Sequence, residues 1–299
     1  DYILAARNGT EFIDLTTEHW EPHHWVRGGC IYGVMPANGL TYAPMDACGC
    51  QLEAKMNGLK ALACVPIPSP DDENVPQLPR FEEGPAYGDM DADAENTVAV
   101  DDWPTYRHDA TRSGTSSTSV SSEGLGAEWK TELQGPLTAP TIAGGKLFVA
   151  SKDAHQVHAL DAESGEHAWT FSAGGRVDSP PTYYRGLALF GSADGWIYAL
   201  RASDGVLAWR FRGAPVDRRM IAYGQIESAW PVHGSVLVHD GVLYCTAGRN
   251  MYLEGGIHFL RLDPMTGELL GETVMDENDP ISGEDMQLTY LHNTGGNNM

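Results

Sequence analysis

Trp129, Trp169 and Trp209 follow one another at intervals of 40 residues. Internal repetition at a fixed period constrains a fold more than composition does, because each repeat must fold into the same unit and pack on its neighbours. Two units align without gaps. The first runs through Ala159, Asp161, Ser164 and Gly165 to Trp169, and the second through Ala199, Arg201, Asp204 and Gly205 to Trp209. A looser copy spans Leu262 to Glu268, with Asp263 and Gly267. Another lies near the start, from Phe12 through Asp14 to Thr17, followed by Trp20.

Each unit parses into four short strands. In the first, Pro140–Ile142 ends at the turn Gly144-Gly145, and Lys146–Ser151 alternates in a β-prone pattern. Gln156–Asp161 follows, Ser164-Gly165 makes a tight turn, and His167–Phe171 closes the unit. The same order recurs from Pro181 to Phe211. Four antiparallel strands in about 40 residues describe a propeller blade, so the fold class is all-β, a β-propeller of four-stranded antiparallel blades. Gly165 and Gly205 are expected at positive φ. The small Ala159 and Ala199 leave room for a neighbouring blade, and Trp169 and Trp209 fill the space between blades.

The Ala-x-Asp-x-x-Ser-Gly-x-x-x-Trp unit resembles the tryptophan-docking motif of the PQQ-like repeat, quinoprotein alcohol dehydrogenase-like, β-propeller family. That family includes PQQ-dependent dehydrogenases and non-enzymatic relatives. Trp103–Gly114 resembles the segment that opens such propellers. The resemblance covers roughly 1–64 and 103–275. It implies a ring of about eight blades, of which this chain would supply part. The rest of a longer polypeptide, or a partner chain, would complete the ring and cover sheet edges that otherwise invite aggregation.

Residues 65–102 break the pattern. They hold six prolines, eleven acidic residues and one basic residue, Arg80. Pro and charge repulsion extend such a stretch, so it reads as a linker. The expected organisation is therefore 1–64 as end blades of a propeller, 65–102 as an acidic Pro-rich linker, and 103–299 as opening blades of a second propeller portion. The net charge of −22 makes nucleic acid and anionic membrane surfaces poor partners. No apolar run of about 18 residues is present, so no membrane-spanning helix is expected.

Sites in propellers gather where the loops after the fourth strand and between the second and third strands open on one face. Two neighbourhoods have long loops there. The first joins His23, His24 and Cys30 to Cys48 and Cys50, with Cys64 nearby. Disulfides of an extracytoplasmic protein, reduced structural thiols, or a metal site using Cys30, Cys48, Cys50 and a His are the competing readings. Five Cys is an odd count, so at least one stays unpaired within the chain. No Cys-x-x-Cys-His is present for covalent haem attachment.

The second neighbourhood is an insertion between Gly213 and Pro231. It stretches the Gly-to-Gly spacing from 40 residues to 62, at Gly205–Gly267. Arg218, Arg219, Glu227 and Trp230 lie in it, and Asn250 and Glu254 lie on the next long loop. The resemblance implies a use for such residues: Arg on quinone oxygens, Glu and Asn on Ca2+, and Trp under the ring of PQQ. A salt-bridged loop cluster is the plainer reading. The family's dehydrogenases carry two adjacent Cys, and this chain has no such pair. His155 and His158 read as solvent-facing strand residues. The function classes that follow are a binding or assembly scaffold outside the cytoplasm, a PQQ- and Ca2+-dependent alcohol or sugar dehydrogenase, and a metal-binding propeller.

Overall fold

The computed structural model describes residues 2–5, 10–23, 28–29, 31–44, 60–63, 79–89, 98–99, 101–249, 255–276 and 278. In chain order, β1 (Tyr2–Ala5), β2 (Thr10–Asp14) and β3 (Trp20–His23) form one antiparallel sheet, and β4 (Met35–Ala37), β5 (Leu40–Ala43) and β6 (Lys60–Ala63) form another. β7 (Phe81–Glu83) stands alone in sequence. β8 (Thr141–Ala143), β9 (Lys146–Ser151), β10 (Gln156–Asp161) and β11 (His167–Ser172) make the first full blade. β12 (Thr182–Tyr184), β13 (Leu187–Gly191), β14 (Trp196–Arg201) and β15 (Leu207–Arg212) make the second. A hairpin, β16 (Arg219–Ala222) and β17 (Gln225–Ser228), precedes the third blade: β18 (Leu237–His239), β19 (Val242–Ala247), β20 (Ile257–Leu262) and β21 (Leu269–Met275). Among the described residues the sole helical element is a 3-10 turn at Lys152–Ala154. The fold is all-β, in four-stranded antiparallel blades, as the repeat predicts.

The chain divides into two units, residues 1–78 with 218–227, and residues 79–217 with 228–299. The first holds the two three-stranded sheets and nearly all of the β16–β17 hairpin. The second holds the three full blades and β7.

Among the described residues, five hairpins turn on two residues that both have positive φ: Asn38-Gly39, Gly144-Gly145, Arg185-Gly186, Tyr223-Gly224 and Asp240-Gly241. This is the geometry that matches the twist of the flanking strands. Asn, Gly and Asp suit its first position, whereas Arg185 (φ 45°) and Tyr223 (φ 52°) occupy it against side-chain preference.

The tryptophans dock blade onto blade. The Trp129 indole N–H donates to the Ala162 carbonyl (3.3 Å), that of Trp169 to Ala202 (3.0 Å), and that of Trp209 to Pro264 (3.2 Å). In each case the acceptor lies in the turn that opens the last strand of the next blade. The glycine of that same turn lies under the indole. A Cβ added to Gly165 would come within 2.3 Å of Trp129, one on Gly205 within 2.6 Å of Trp169, and one on Gly267 within 2.8 Å of Trp209. These glycines have φ of 71°, 76° and 72°. The glycine therefore serves twice, as the left-handed residue of the turn and as the seat for the neighbouring ring. Ala159 and Ala199, opposite Trp169 and Trp209 in register, are fully buried.

The innermost strands touch in sequence, β8 with β12 and β12 with β18. Threonine hydroxyls stitch them: Thr141 donates to the Pro181 carbonyl (2.8 Å) and Thr182 to that of Val236 (2.9 Å). Trp103 exchanges both backbone hydrogen bonds with Ile142 (2.7 and 2.9 Å), and Thr105 bonds Thr182 (2.9 Å), so the opening segment lies along the same inner edge.

Two looser copies depart from the motif. In the first unit, Asp14 makes the repeat's turn, accepting the Thr16 N–H (2.8 Å), with Glu18 at φ 58° where other copies have Gly. Trp20 pairs with Ile13, one position off the docking register, which is held by Glu21 opposite Phe12. In the third blade the docking pair is exchanged. Arg261 stands where the other blades have Ala, and Gly271 stands where they have Trp. A Cβ on Gly271 would meet the Arg261 guanidinium at 2.3 Å. The large and small partners have swapped strands.

Residues 79–89, inside the stretch read as a connector, are built against the second blade. β7 pairs antiparallel with the outer strand β15, making that blade five-stranded. Arg80 extends the link to the third blade. Its guanidinium donates to the Arg212 carbonyl (3.0 Å) and to Glu272 of β21 (2.7 Å), and lies 4.9 Å from the Phe211 ring centre. Arg210 donates to Glu82 (2.7 Å) and covers the Trp196 ring.

Candidate functional site

The loops that join β11 to β12, β13 to β14 and β15 to β18 leave the blades of the second unit on one face. Backbone bonds weld them: Ala193 donates to the Arg176 carbonyl (2.8 Å), Ser228 to Ala193 (2.7 Å) and Val232 to Ser192 (3.0 Å). Close approach needs small residues. A Cβ on Gly175 would fall 2.5 Å from the Asp194 nitrogen, and one on Gly191 within 2.3 Å of Val232.

Two acidic side chains anchor this face. Asp194 is buried, accepts the Tyr198 hydroxyl (2.5 Å) and the Trp196 N–H (3.0 Å), and so caps its own turn. Burial and the Asp194 carboxylate together push the Tyr198 hydroxyl well above the usual phenol range. Asp178 pairs with the His233 ring (Nδ1 to Oδ2, 2.6 Å) and accepts the Gly234 N–H (3.2 Å). Burial alone would raise the Asp178 pKa, but the bonds from His233 and Gly234 together with the charges of His233 and Arg176 outweigh it, and the carboxyl sits below its ordinary value. Nearby, Trp230 is buried with its ring edge-on to His258 (centres 6.5 Å apart), and His258 bonds Glu272 (2.7 Å). These groups carry internal partners. Asp178 is satisfied by His233 and Gly234 from another loop, and Asp194 by the turn and strand that follow it.

Of the residues singled out in the insertion, Arg218, Arg219 and Glu227 belong to the first unit, on or beside the β16–β17 hairpin, and Trp230 belongs to the second. Arg218 is half-buried, Arg219 exposed and Glu227 fully buried. Asn250 and Glu254 lie outside the described residues. So do His24, Cys30, Cys48, Cys50 and Cys64, while His23 is placed by its backbone in β3. Among the described residues no three His, Cys, Asp or Glu side chains converge as metal ligands. The described donors thus do not by themselves make a cradle for Ca2+ beside a quinone. The fifth cysteine, Cys245, is a buried free thiol whose pKa is pushed up to about 12 by burial.

His158 is not solvent-facing. It is buried in the first blade between the hydroxyls of Ser151 (3.1 Å) and Thr170 (2.9 Å), and Thr170 also bonds His167 (2.7 Å). Burial, helped by the nearby His167, lowers the His158 pKa. The Asp178–His233 pair escapes sequence reading because its members are 55 residues apart on different loops. The Asp194-Gly195 turn signal, by contrast, stands in the sequence in plain view.

Comparison with known proteins bears on the repeat. The family model described as outer membrane protein assembly factor BamB matches residues 108–284. A curated relative, the outer membrane protein assembly factor BamB of Moranella endobia (strain PCIT), is 36% identical over 78 residues, covering 26% of this chain and 19% of that protein. This chain therefore spans about a fifth of its relative's length. Among solved structures, the quinohemoprotein alcohol dehydrogenase from Comamonas testosteroni is 21% identical with a TM-score of 0.48, covering 68% of this chain and 31% of that one. BamB from Moraxella catarrhalis is 21% identical with a TM-score of 0.28, covering 46% of this chain and 49% of that one. With the family model matching more than half of its residues, and its blades docked tryptophan to glycine, the chain belongs to the PQQ-like repeat family that this model describes.

Proposed function

We propose that the chain is a scaffold of the outer-membrane protein assembly type, working outside the cytoplasm by binding partners rather than by turning over a substrate. The observation that carries this reading is the match of residues 108–284 to the assembly-factor model, over the same blades whose seams are fully docked. The chemistry of the loop face supports it. Asp178, Asp194, Tyr198 and His233 are spent on one another, which suits a surface that must hold its shape. The remainder of a longer polypeptide, or a partner chain, completes the ring. In an oxidising compartment, disulfides among Cys30, Cys48, Cys50 and Cys64 belong to the same reading.

The test uses two assays on one preparation. Insertion of an outer-membrane β-barrel into vesicles carrying the assembly machinery is measured with and without the chain. PQQ with Ca2+ is titrated into the same protein, followed by near-ultraviolet absorbance. The proposal expects faster insertion and no saturable PQQ binding. Unchanged insertion together with PQQ binding that is lost in Glu227→Ala would replace it with the dehydrogenase reading.

A further inference from the structure

Residues 79–89 lie on the second unit as a ligand strand lies on a sheet edge. β7 pairs antiparallel with β15, placing Phe81 opposite Phe211, Glu82 opposite Arg210 and Glu83 opposite Trp209. Backbone bonds carry the contact further at both ends. The Arg212 N–H donates to the Arg80 carbonyl (2.6 Å), the Gly84 N–H to that of Ala208 (2.8 Å) and the Ala86 N–H to that of Leu207 (2.9 Å). Gly84 comes so close that a Cβ there would fall 2.1 Å from the Leu207 carbonyl oxygen. The first and third blades have four strands each, so the fifth strand is an addition from outside the repeat.

Side chains fix this segment along the seam of the second and third blades. Arg80 donates to Glu272 (2.7 Å) and to the Gly213 carbonyl (3.2 Å). Phe81 lies against Gly267, where an added Cβ would meet its ring at 2.8 Å, and edge-on to Tyr87 (centres 5.7 Å apart). Glu82 accepts from Arg210 (2.7 Å), and Asp89 accepts from Arg201 (2.9 Å). The blades thus read a cation, an aromatic ring and a carboxylate at consecutive positions. Backbone bonds give an added strand its affinity, and side-chain contacts of this kind give it selectivity.

The hold is of an exchangeable kind. β7 is three residues long, whereas β14 and β15 have six each. Its carboxylates stand toward water, the Glu82 side chain 40% exposed and that of Asp89 84%. Ion pairs at such exposure add little net stability. An outer edge without a strand is a template for pairing with another chain. β7 keeps the β15 edge covered because its tether holds it at high local concentration.

We propose that this edge, with the seam beside it, is a strand-accepting site that β7 closes in cis. Its partner is an extended segment of another protein that presents a cation, an aromatic ring and a carboxylate in succession. The partner strand enters as β7 leaves and keeps the antiparallel register. The proposal rests on the scaffold reading and names the kind of partner that such a scaffold takes. Its test reads peptide binding rather than barrel insertion, so either can fail without the other.

The probe is a fluorescein-labelled peptide with the sequence of residues 79–89, added to the full chain and followed by anisotropy. Phe81→Ser with Glu82→Ser loosens β7 and leaves the acceptor edge intact. That chain is expected to bind the peptide saturably, about tenfold or more tighter than the unmodified chain, whose own β7 competes. Arg210→Glu added to it should weaken the peptide about tenfold, and a peptide with Lys in place of Glu82 should recover the loss. Glu82→Ala with Asp89→Ala is the milder second variant and carries the same expectation should the first fold poorly. No saturable binding to a folded loosened chain, equal binding of a scrambled peptide, or no recovery by the Lys peptide would overturn the proposal.

Discussion

Trp169 and Trp209 show how one residue type builds a seam. Each is buried, gives its one N–H to the next blade, and lies on a glycine that could not carry a side chain there. Trp209→Ala is expected to cost about 3–5 kcal/mol in denaturant melts of the full chain, the usual range for truncating a buried aromatic. Trp20→Ala should cost distinctly less, because Trp20 is off the docking register and partly exposed. Gly205→Ala should destabilise by about 1 kcal/mol or more, since the new methyl must take φ 76° and meet the Trp169 ring at 2.6 Å. Much of this was legible in sequence, because Ala, Gly and Trp recur at fixed offsets. The Arg261–Gly271 exchange was not. Swapping large and small across a strand pair conserves volume while erasing the motif, and only the register of β20 on β21 reveals it.

At the scale of elements, the blades were legible and the additions to them were not. The strands at 146–151 and 156–161 fall where alternation and turn residues place them. β7 has no period of its own and sits among prolines and carboxylates, which in sequence read as a solvated connector. Its role depends on what β15 offers: an open outer edge and Arg210 opposite Glu82. Arg80→Met should loosen the contact between the second and third blades, seen as faster amide exchange in β21 than in β9. The same cluster gives an acid dependence. Burial would raise the Glu272 carboxyl, yet bonds from Arg80 and His258 hold it below its ordinary value of 4.5. A carboxyl whose pKa is lowered by folding stabilises the fold above its unfolded pKa, and that contribution is lost as pH falls through the folded value. Melting temperature should therefore drop below about pH 4.5, and Glu272→Gln should flatten that part of the profile. His158 adds a separate step at higher pH. Its lowered pKa means stability present above its ordinary value of 6.5 and lost as pH falls below it, and His158→Gln should remove that step.

At the scale of the molecule, the second unit is a run of blades whose seams repeat one device, and the candidate sites lie where the repeat is modified. The loop-face insertion was visible as a spacing change from 40 to 62 residues, but its partners were not. Arg218, Arg219 and Glu227 went with the first unit and Trp230 with the second, a division set by contacts distant in sequence. The central claim is that each blade is held to the next by an indole seated on a glycine. Hydrogen exchange of the tryptophan indole N–H groups tests it directly. In the intact chain Trp169 and Trp209 should exchange far more slowly than a free indole. Gly205→Ala should release Trp169 while Trp209 stays protected, and Gly267→Ala should do the reverse. Exchange of both indoles at free rates in the unmodified chain would contradict the account.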